Sequence, residues 1–278
     1  MSRKSFCIAI TFLIILGSPA LSYGTASEEP MMHHISAHES IKIAVIYDNN
    51  PYKEGIETAW GFSCLIRTRD ETILFDTGGD GRRLLTNMER LGISPQDIGS
   101  VVLSHIHGDH VGGLSALLER NRNVVVYMPA SFPEGFKEEV QGYGAKIVEV
   151  RKTIRICEGV YSTGELGTWI KEQALVVSTA RGTIVVTGCA HPGVVNMVKK
   201  AKEIIPGDIL LVIGGYHLGG KSSGEIEHIL SEFRNLGVRN VGPCHCTGTA
   251  ATEMFMRAYG KNFLRLGAGR VITLRDLK

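Results

Sequence analysis

Short β-branched and aliphatic runs alternate with amphipathic segments from Ile41 to the C-terminus, and this order restricts the possible folds more than any other feature. The strand candidates are Ile41–Tyr47, Gly61–Thr68, Thr72–Phe75, Ser100–Leu103, Val124–Met128, Lys146–Val150, Ile154–Ser162, Ala174–Thr179, Gly182–Thr187, Ile209–Ile213, Val238–Val241, Phe263–Leu266 and Arg270–Leu274. Helical spacing of apolar residues occurs at Arg82–Leu91, Leu114–Glu119, Glu134–Tyr143, Val194–Ile205, Gly224–Leu236 and Thr249–Tyr259. Strands come first, then strand with helix, then a strand-rich middle, then strand with helix again. Two similar halves follow from that order, each a sheet covered by helices, with one core between the sheets. The class is α/β (α+β). No proline-rich or glycine-serine linker interrupts the chain after Ser40, so residues 41–278 read as one domain.

The N-terminus reads differently. Residues 1–22 combine Arg3 and Lys4, the apolar run Phe6 to Leu16, and a small-residue stretch that places Ala20 and Ser22 at the −3 and −1 positions of a cleavage site. This is the pattern of a secretory signal peptide, and the run is short for a membrane span. The protein is expected to be exported, periplasmic or secreted, with no stable membrane insertion after cleavage; an uncleaved anchor is the alternative. Residues 23–40 are small and polar, without periodicity, and read as a leader whose His33, His34 and His38 are solvated.

Cleavage removes Arg3 and Lys4 and no acid, taking the formal charge from +2 to zero. A neutral chain gives no electrostatic case for nucleic acid, which favours a small-molecule substrate. Cys64, Cys157, Cys189, Cys244 and Cys246 remain, an odd number without the spacing of a disulfide scaffold.

The chemistry concentrates in Ser104–Gly113, SHIHGDHVGG, directly after the apolar run Val101–Leu103. Imidazole and carboxylate are the ligand types that zinc prefers. His105 and His107 alternate by two, so on an extended segment both project to one side, and His110 then points elsewhere. Gly108 lets the chain turn between the pairs. One short loop could thus serve two neighbouring ions.

At His105, His107, Asp109 and His110 the chain resembles the metallo-β-lactamase superfamily, with its H-x-H-x-D-H motif. LFDTGG (74–79), VVTGCAHPG (185–193) and GPCHCTG (242–248) extend the resemblance over nearly all of residues 41–278. It implies a four-layered αββα sandwich, with Asp76 as a buried acceptor steadying the metal loop and His191 and His245 as further ligands. GCAHPG, GGYHLGG and CHCTG look like a narrower subgroup of metal-dependent hydrolases, one that includes the archaeal dihydropterin-methyl-aminobenzene-phosphate synthase, a transferase.

One departure stands out. Where the family carries a bridging acid, after Ile184–Thr187, this sequence has Gly188 and Cys189. The simplest assignment gives His105, His107 and His191 to a first ion and Asp109, His110 and His245 to a second. Cys189 reads more readily as a small buried residue than as a thiolate ligand. His217, after Ile209–Ile213, is expected to face the cleft, either as a ligand or as a proton donor to the leaving group. Cys244 and Cys246 are expected to pack beneath the loop that carries His245.

The resemblance therefore implies a hydrolase with two divalent ions, zinc first and iron, manganese or nickel as alternatives. A metal-activated water would attack an ester, lactone, amide or phosphoester, with Asp109 as ligand and orienting acceptor. A metal-dependent transferase like the pterin synthase and a non-catalytic metal- or ligand-binding member of the fold are the rival readings.

Overall fold

The computed structural model describes residues 40–278, so the expected signal peptide and all of the leader but Ser40 lie outside the described residues. The chain runs through β1 (Lys42–Tyr47), β2 (Ser63–Arg67), β3 (Thr72–Phe75), α1 (Gly81–Arg90), β4 (Ser100–Val102), α2 (Gly108–Val111), α3 (Leu114–Arg120), β5 (Val125–Pro129), α4 (Glu134–Gly142) and β6 (Lys146–Val150). It continues through β7 (Ile154–Cys157), β8 (Val160–Ser162), β9 (Leu175–Thr179), β10 (Gly182–Thr187), α5 (Val194–Ile204), β11 (Ile209–Gly215), α6 (Ser223–Asn235), β12 (Val238–Cys244), α7 (Thr249–Tyr259) and β13 (Val271–Thr273).

Two sheets form, in the orders β13-β1-β2-β3-β4-β5-β6 and β12-β11-β10-β9-β8-β7. Their facing sides bury Val45, Phe62, Ile66 and Phe75 against Val177, Ile184, Val186, Leu211 and Ile213. On the outer side of the first sheet, Leu84 and Met88 of α1 and Leu117 and Leu118 of α3 pack onto Val101 and Val126. On the outer side of the second, Val198, Phe233 and Phe255 of α5, α6 and α7 cover Val185, Val212 and Val241. This is the expected αββα sandwich. Each Val, Leu, Ile or Phe so enclosed contributes about 1.5–3 kcal/mol. The start of α6 is fixed by a capping box, in which Ser222 accepts from the Glu225 amide and Glu225 reaches back to the Ser222 amide.

Strand direction then places the site. β3, β4, β5 and β6 run parallel, and so do β10, β11 and β12. Asp76 and His105 follow the C-terminal ends of the first group, and Cys189, His217 and His245 those of the second. Open α/β sheets place their ligand sites at the carboxyl ends of parallel strands, where the backbone turns away and leaves side chains free.

Three segments differ from expectation. Ile154–Ser162 is not one strand but the hairpin β7–β8, which pairs antiparallel about Glu158–Gly159. Phe263–Leu266 makes only an isolated bridge from Phe263 to Val241. Its alternation has another cause: Leu264 and Leu266 sit in the inter-sheet core while the chain crosses from β12 to β13, at the edge of the other sheet. The metal motif is not wholly a loop either, because Gly108–Val111 forms a short helix with His107 at its N-cap.

Candidate metal centre

The motif is positioned from below by Asp76. This carboxylate is fully buried and accepts from the Ser104 amide at 2.7 Å, the Ser104 hydroxyl at 2.7 Å and His110 Nδ1 at 2.7 Å. Since the Ser104 hydroxyl donates to Asp76, it accepts from His105 Nδ1 at 2.9 Å. Both rings are thereby held with Nε2 as the free nitrogen. His245 is held in the same way, its Nδ1 lying 3.0 Å from the Asn49 side-chain oxygen. Such outer partners fix the tautomer and direction of a ligating imidazole.

The free atoms converge in two adjacent groups. Donor atoms of His105, His107 and His191 lie within 4.8 Å of one another, as do those of Asp109, His110, Cys189 and His245. In the first group His105 Nε2 is 3.1 Å from His107 Nδ1, and His191 Nε2 is buried with no hydrogen-bond partner. In the second, His110 Nε2 is 3.2 Å from Cys189 Sγ and 3.3 Å from His245 Nε2, while Asp109 Oδ2 is 3.2 Å from His245 Nε2. Pairs this close are held by a shared proton or by a cation among them, and the orphaned buried nitrogen of His191 carries a desolvation cost that a cation removes. Nitrogen, sulfur and carboxylate oxygen are zinc's ligand types. The donor set therefore fits divalent metal.

The titratable groups agree. Burial, reinforced by the neighbouring imidazoles, pushes His105 far below the usual histidine range, and burial and His217 hold His191 down to about 4. Both rings are neutral near pH 7, as ligands must be. Burial alone would raise the Asp109 carboxyl, but the His245 hydrogen bond and the charges of His110 and His245 outweigh it and hold Asp109 below the ordinary carboxylate range.

All six residues expected as ligands are thus brought together. Cys189 is buried, as expected, and it also turns its sulfur into the second group, which keeps the thiolate alternative open. The reason lies at the preceding residue. A Cβ at Gly188 would stand 2.1 Å from the Ser104 hydroxyl and 3.0 Å from Asp76 Oδ2, so no acid fits there, and the next side chain reaches the cluster instead. Cys244 packs into the inter-sheet core as expected, whereas Cys246 directs its sulfur toward Cys189 and His217. His217 is exposed at the mouth with its ring 4.3 Å from that of His191, and Trp60, 60% exposed, tilts over His245 at 4.8 Å. His228 lies exposed on α6, away from the cleft residues.

Glu172 escaped the sequence reading altogether. Fully buried, its carboxylate accepts from the amides of Cys189, Ala190 and His191 at 2.9, 2.8 and 2.9 Å. These bonds shape the turn in which Ala190 takes φ +59° and which delivers one donor to each group. Desolvation pushes Glu172 up to about 7 despite the three amides. Only the short polar break Lys171–Glu172–Gln173 before the apolar run of β9 marks it in the sequence.

Comparison with known proteins agrees with this geometry. The sequence profile of the metallo-β-lactamase superfamily matches residues 61–245, the stretch from the first sheet's β2 to the last expected ligand. The chain belongs to the metallo-β-lactamase superfamily. It is similar to the 7,8-dihydropterin-6-methyl-4-(β-D-ribofuranosyl)-aminobenzene-5'-phosphate synthase of Methanocaldococcus jannaschii, at 30% identity over 87% of this chain and 99% of that protein. It is also similar to the crystal structure of a metal-dependent hydrolase of the β-lactamase superfamily, at 31% identity and TM-score 0.70 over 84% of this chain and 98% of that one. A metallo-β-lactamase fold protein from Bacillus subtilis, 15% identical, shares the fold with TM-score 0.64 over 84% of this chain and 99% of that one.

Proposed function

We propose that this superfamily member is an exported hydrolase of small molecules. In this reading His105, His107 and His191 hold one divalent ion, and Asp109, His110, Cys189 and His245 hold a second. The observation that carries it is the pair of donor groups, with the orphaned Nε2 of His191 in the first of them. Zinc suits the mixed nitrogen, oxygen and sulfur donors best.

Bound divalent ions would supply an activated water near neutral pH and a polarised carbonyl or phosphoryl oxygen. The protein's own part is orientation and exclusion of bulk water. Asp109, ionised and partly open to the cleft, accepts a hydrogen bond from the attacking group and fixes its direction. Asp76 and Glu172 keep the donor atoms in place through His110 and through the 189–191 turn. Trp60 and His217 border the mouth and meet the substrate first. The neutral charge of residues 23–278 supports a small substrate with an ester, lactone, amide or phosphoester bond.

A transferase reading is favoured by the 30% identity to the archaeal synthase over 99% of that protein's length. Export weighs against it, because the signal-peptide pattern of residues 1–22 removes the chain from cytoplasmic biosynthesis.

The test has two parts. Metal content is measured in the mature protein and in His105→Ala and His245→Ala, each expected to lose metal; unchanged content in both variants sinks the site. The loaded protein is then offered chromogenic phosphoesters, lactones and β-lactams. Silence across that panel with full metal occupancy turns the reading toward transfer.

A further inference from the structure

We propose that Cys189, His217 and Cys246 form a third divalent-metal site, soft in character, that shares Cys189 with the second donor group. The two sulfurs and the imidazole nitrogen lie within 4.8 Å of one another. A tetrahedral zinc with Zn–S of about 2.3 Å and Zn–N of about 2.0–2.1 Å spaces such donors about 3.4–3.8 Å apart, a closure of about an ångström that side-chain rotation supplies.

Several independent features hold the three donors in one place. They leave the ends of three adjacent parallel strands, β10, β11 and β12. The Thr247 hydroxyl ties two of those ends together, accepting from the Tyr216 amide at 3.1 Å and donating to the Cys244 carbonyl at 2.7 Å. Gly215 provides the space: a Cβ there would stand 2.6 Å from Cys246 Sγ and 3.2 Å from the Cys189 Cα, so only glycine lets the sulfur settle against the Cys189 backbone. The Cys246 thiol reaches the Cys189 carbonyl at 3.7 Å.

Backbone strain points the same way. His217 and His245, the residue before Cys246, adopt left-handed backbone at φ +50° and +49°. Non-glycine residues keep such conformations only where their surroundings over-determine them, and these positions gather at ligand sites. Here the left-handed His217 carries a ring nitrogen within 4.8 Å of both sulfurs.

Two thiolates and one imidazole with an open side are the donors of a three-coordinate catalytic-type zinc site. Soft sulfur ligands favour zinc or copper(I) over magnesium, calcium or manganese. His217, expected from sequence either as ligand or as proton donor, takes the ligand role. A disulfide is the competing use of the cysteine pair, but both are free thiols here, and a bond of about 2.05 Å would draw Cys189 Sγ off His110.

The site shares no residue with the His105–His107–His191 group, although the His217 ring lies 4.3 Å from that of His191, and the experiment separates the two. The mature protein and three variants, Cys246→Ala, His217→Asn and His105→Ala, are stripped of metal, reloaded with zinc or cobalt(II), dialysed and assayed for ions per chain. Asparagine tolerates left-handed backbone, and His217 is exposed, so His217→Asn leaves the fold intact. Cys246→Ala and His217→Asn are each expected to bind one ion fewer than wild type, and Cys246→Ala also to weaken the sulfur-to-cobalt charge-transfer band. His105→Ala is expected to lose a different ion and to keep that band. The proposal is overturned if Cys246→Ala and His217→Asn bind as many ions as wild type. A Cys189–Cys246 disulfide in peptide maps of the metal-loaded protein overturns it as well. If His105→Ala alone loses nothing, the binuclear reading falls and the third site stands.

Discussion

The two principal donor groups are neighbours, yet they are assembled on different electrostatic terms. The His105–His107–His191 group is built only from imidazoles, each pushed toward its neutral form by burial. The Asp109–His110–Cys189–His245 group mixes an ionised acid, a thiol and imidazoles. There Asp76 more than offsets the burial that would otherwise lower His110, and the Cys246 hydrogen bond pushes the Cys189 thiol up. The first group is ready to accept a cation, whereas the second must release protons to do so. Ions held by the two groups would therefore differ in affinity and in pH response.

The largest test of that contrast removes its origin. Asp76→Ala leaves His110 Nδ1 and the Ser104 amide and hydroxyl without their acceptor in a fully buried site. It should cost about 3–5 kcal/mol of stability in urea unfolding and remove the ion of the second group first. Equal loss from both groups would mean that Asp76 does not distinguish them.

Glu172→Gln should act on both groups alike, because the same carboxylate holds Cys189 and His191. Affinity for each ion is expected to fall about 10–100-fold, read by competition with a chelating dye, and a change confined to one group would contradict the shared turn. Replacing Cys189 itself sharpens the difference. Cys189→Ala should lose metal from the second group while the first keeps its ion, and Cys189→Asp should restore binding as an oxygen donor. Failure of aspartate to bind better than alanine would remove Cys189 from the ligand set.

The smallest effect is on the metal-free fold. An unfolded histidine takes up its proton as pH falls through about 6.5, whereas folded His191 does so only near 4. Stability present above about pH 6.5 should then be lost as pH falls toward 4 and level off below it. His110, raised in the fold, works in the opposite sense, its contribution being lost as pH rises through its folded value. Melting temperatures of chelator-treated protein should fall with acid, and less so in His191→Asn; identical slopes would exclude His191 as the source.

Much of this was legible in the sequence for a physical reason. His105, His107, Asp109 and His110 are contiguous, and His191, His217 and His245 each follow an apolar run whose end must turn away from the sheet. Asp76 could be read in the same way. Glu172 and Asn49 could not, because their roles exist only as contacts: Glu172 acts across 17 to 19 residues, and Asn49 meets His245 across 196. The place of Cys189 could be read only in part, because burial and ligation both select cysteine, and the approach of its sulfur to His110 exists only as a contact. Phe263–Leu266 failed for a related reason, since alternation of apolar residues reports which side is buried and not whether the backbone has a pairing partner.

Each principal group draws donors from both halves of the sandwich. His105, His107, Asp109 and His110 come from the first sheet, and His191, Cys189 and His245 from the second. Ions bound there would act as rivets through the open edge of the two halves. The sheets could not slide or splay without breaking coordination, and an ion at 1,000 times its dissociation constant would add about 4.1 kcal/mol against unfolding. The dry layer of Phe62, Phe75, Val186 and Ile213 would then serve as a ruler. A methyl group gained or lost there would be felt as a change in spacing between ions that none of those side chains touches.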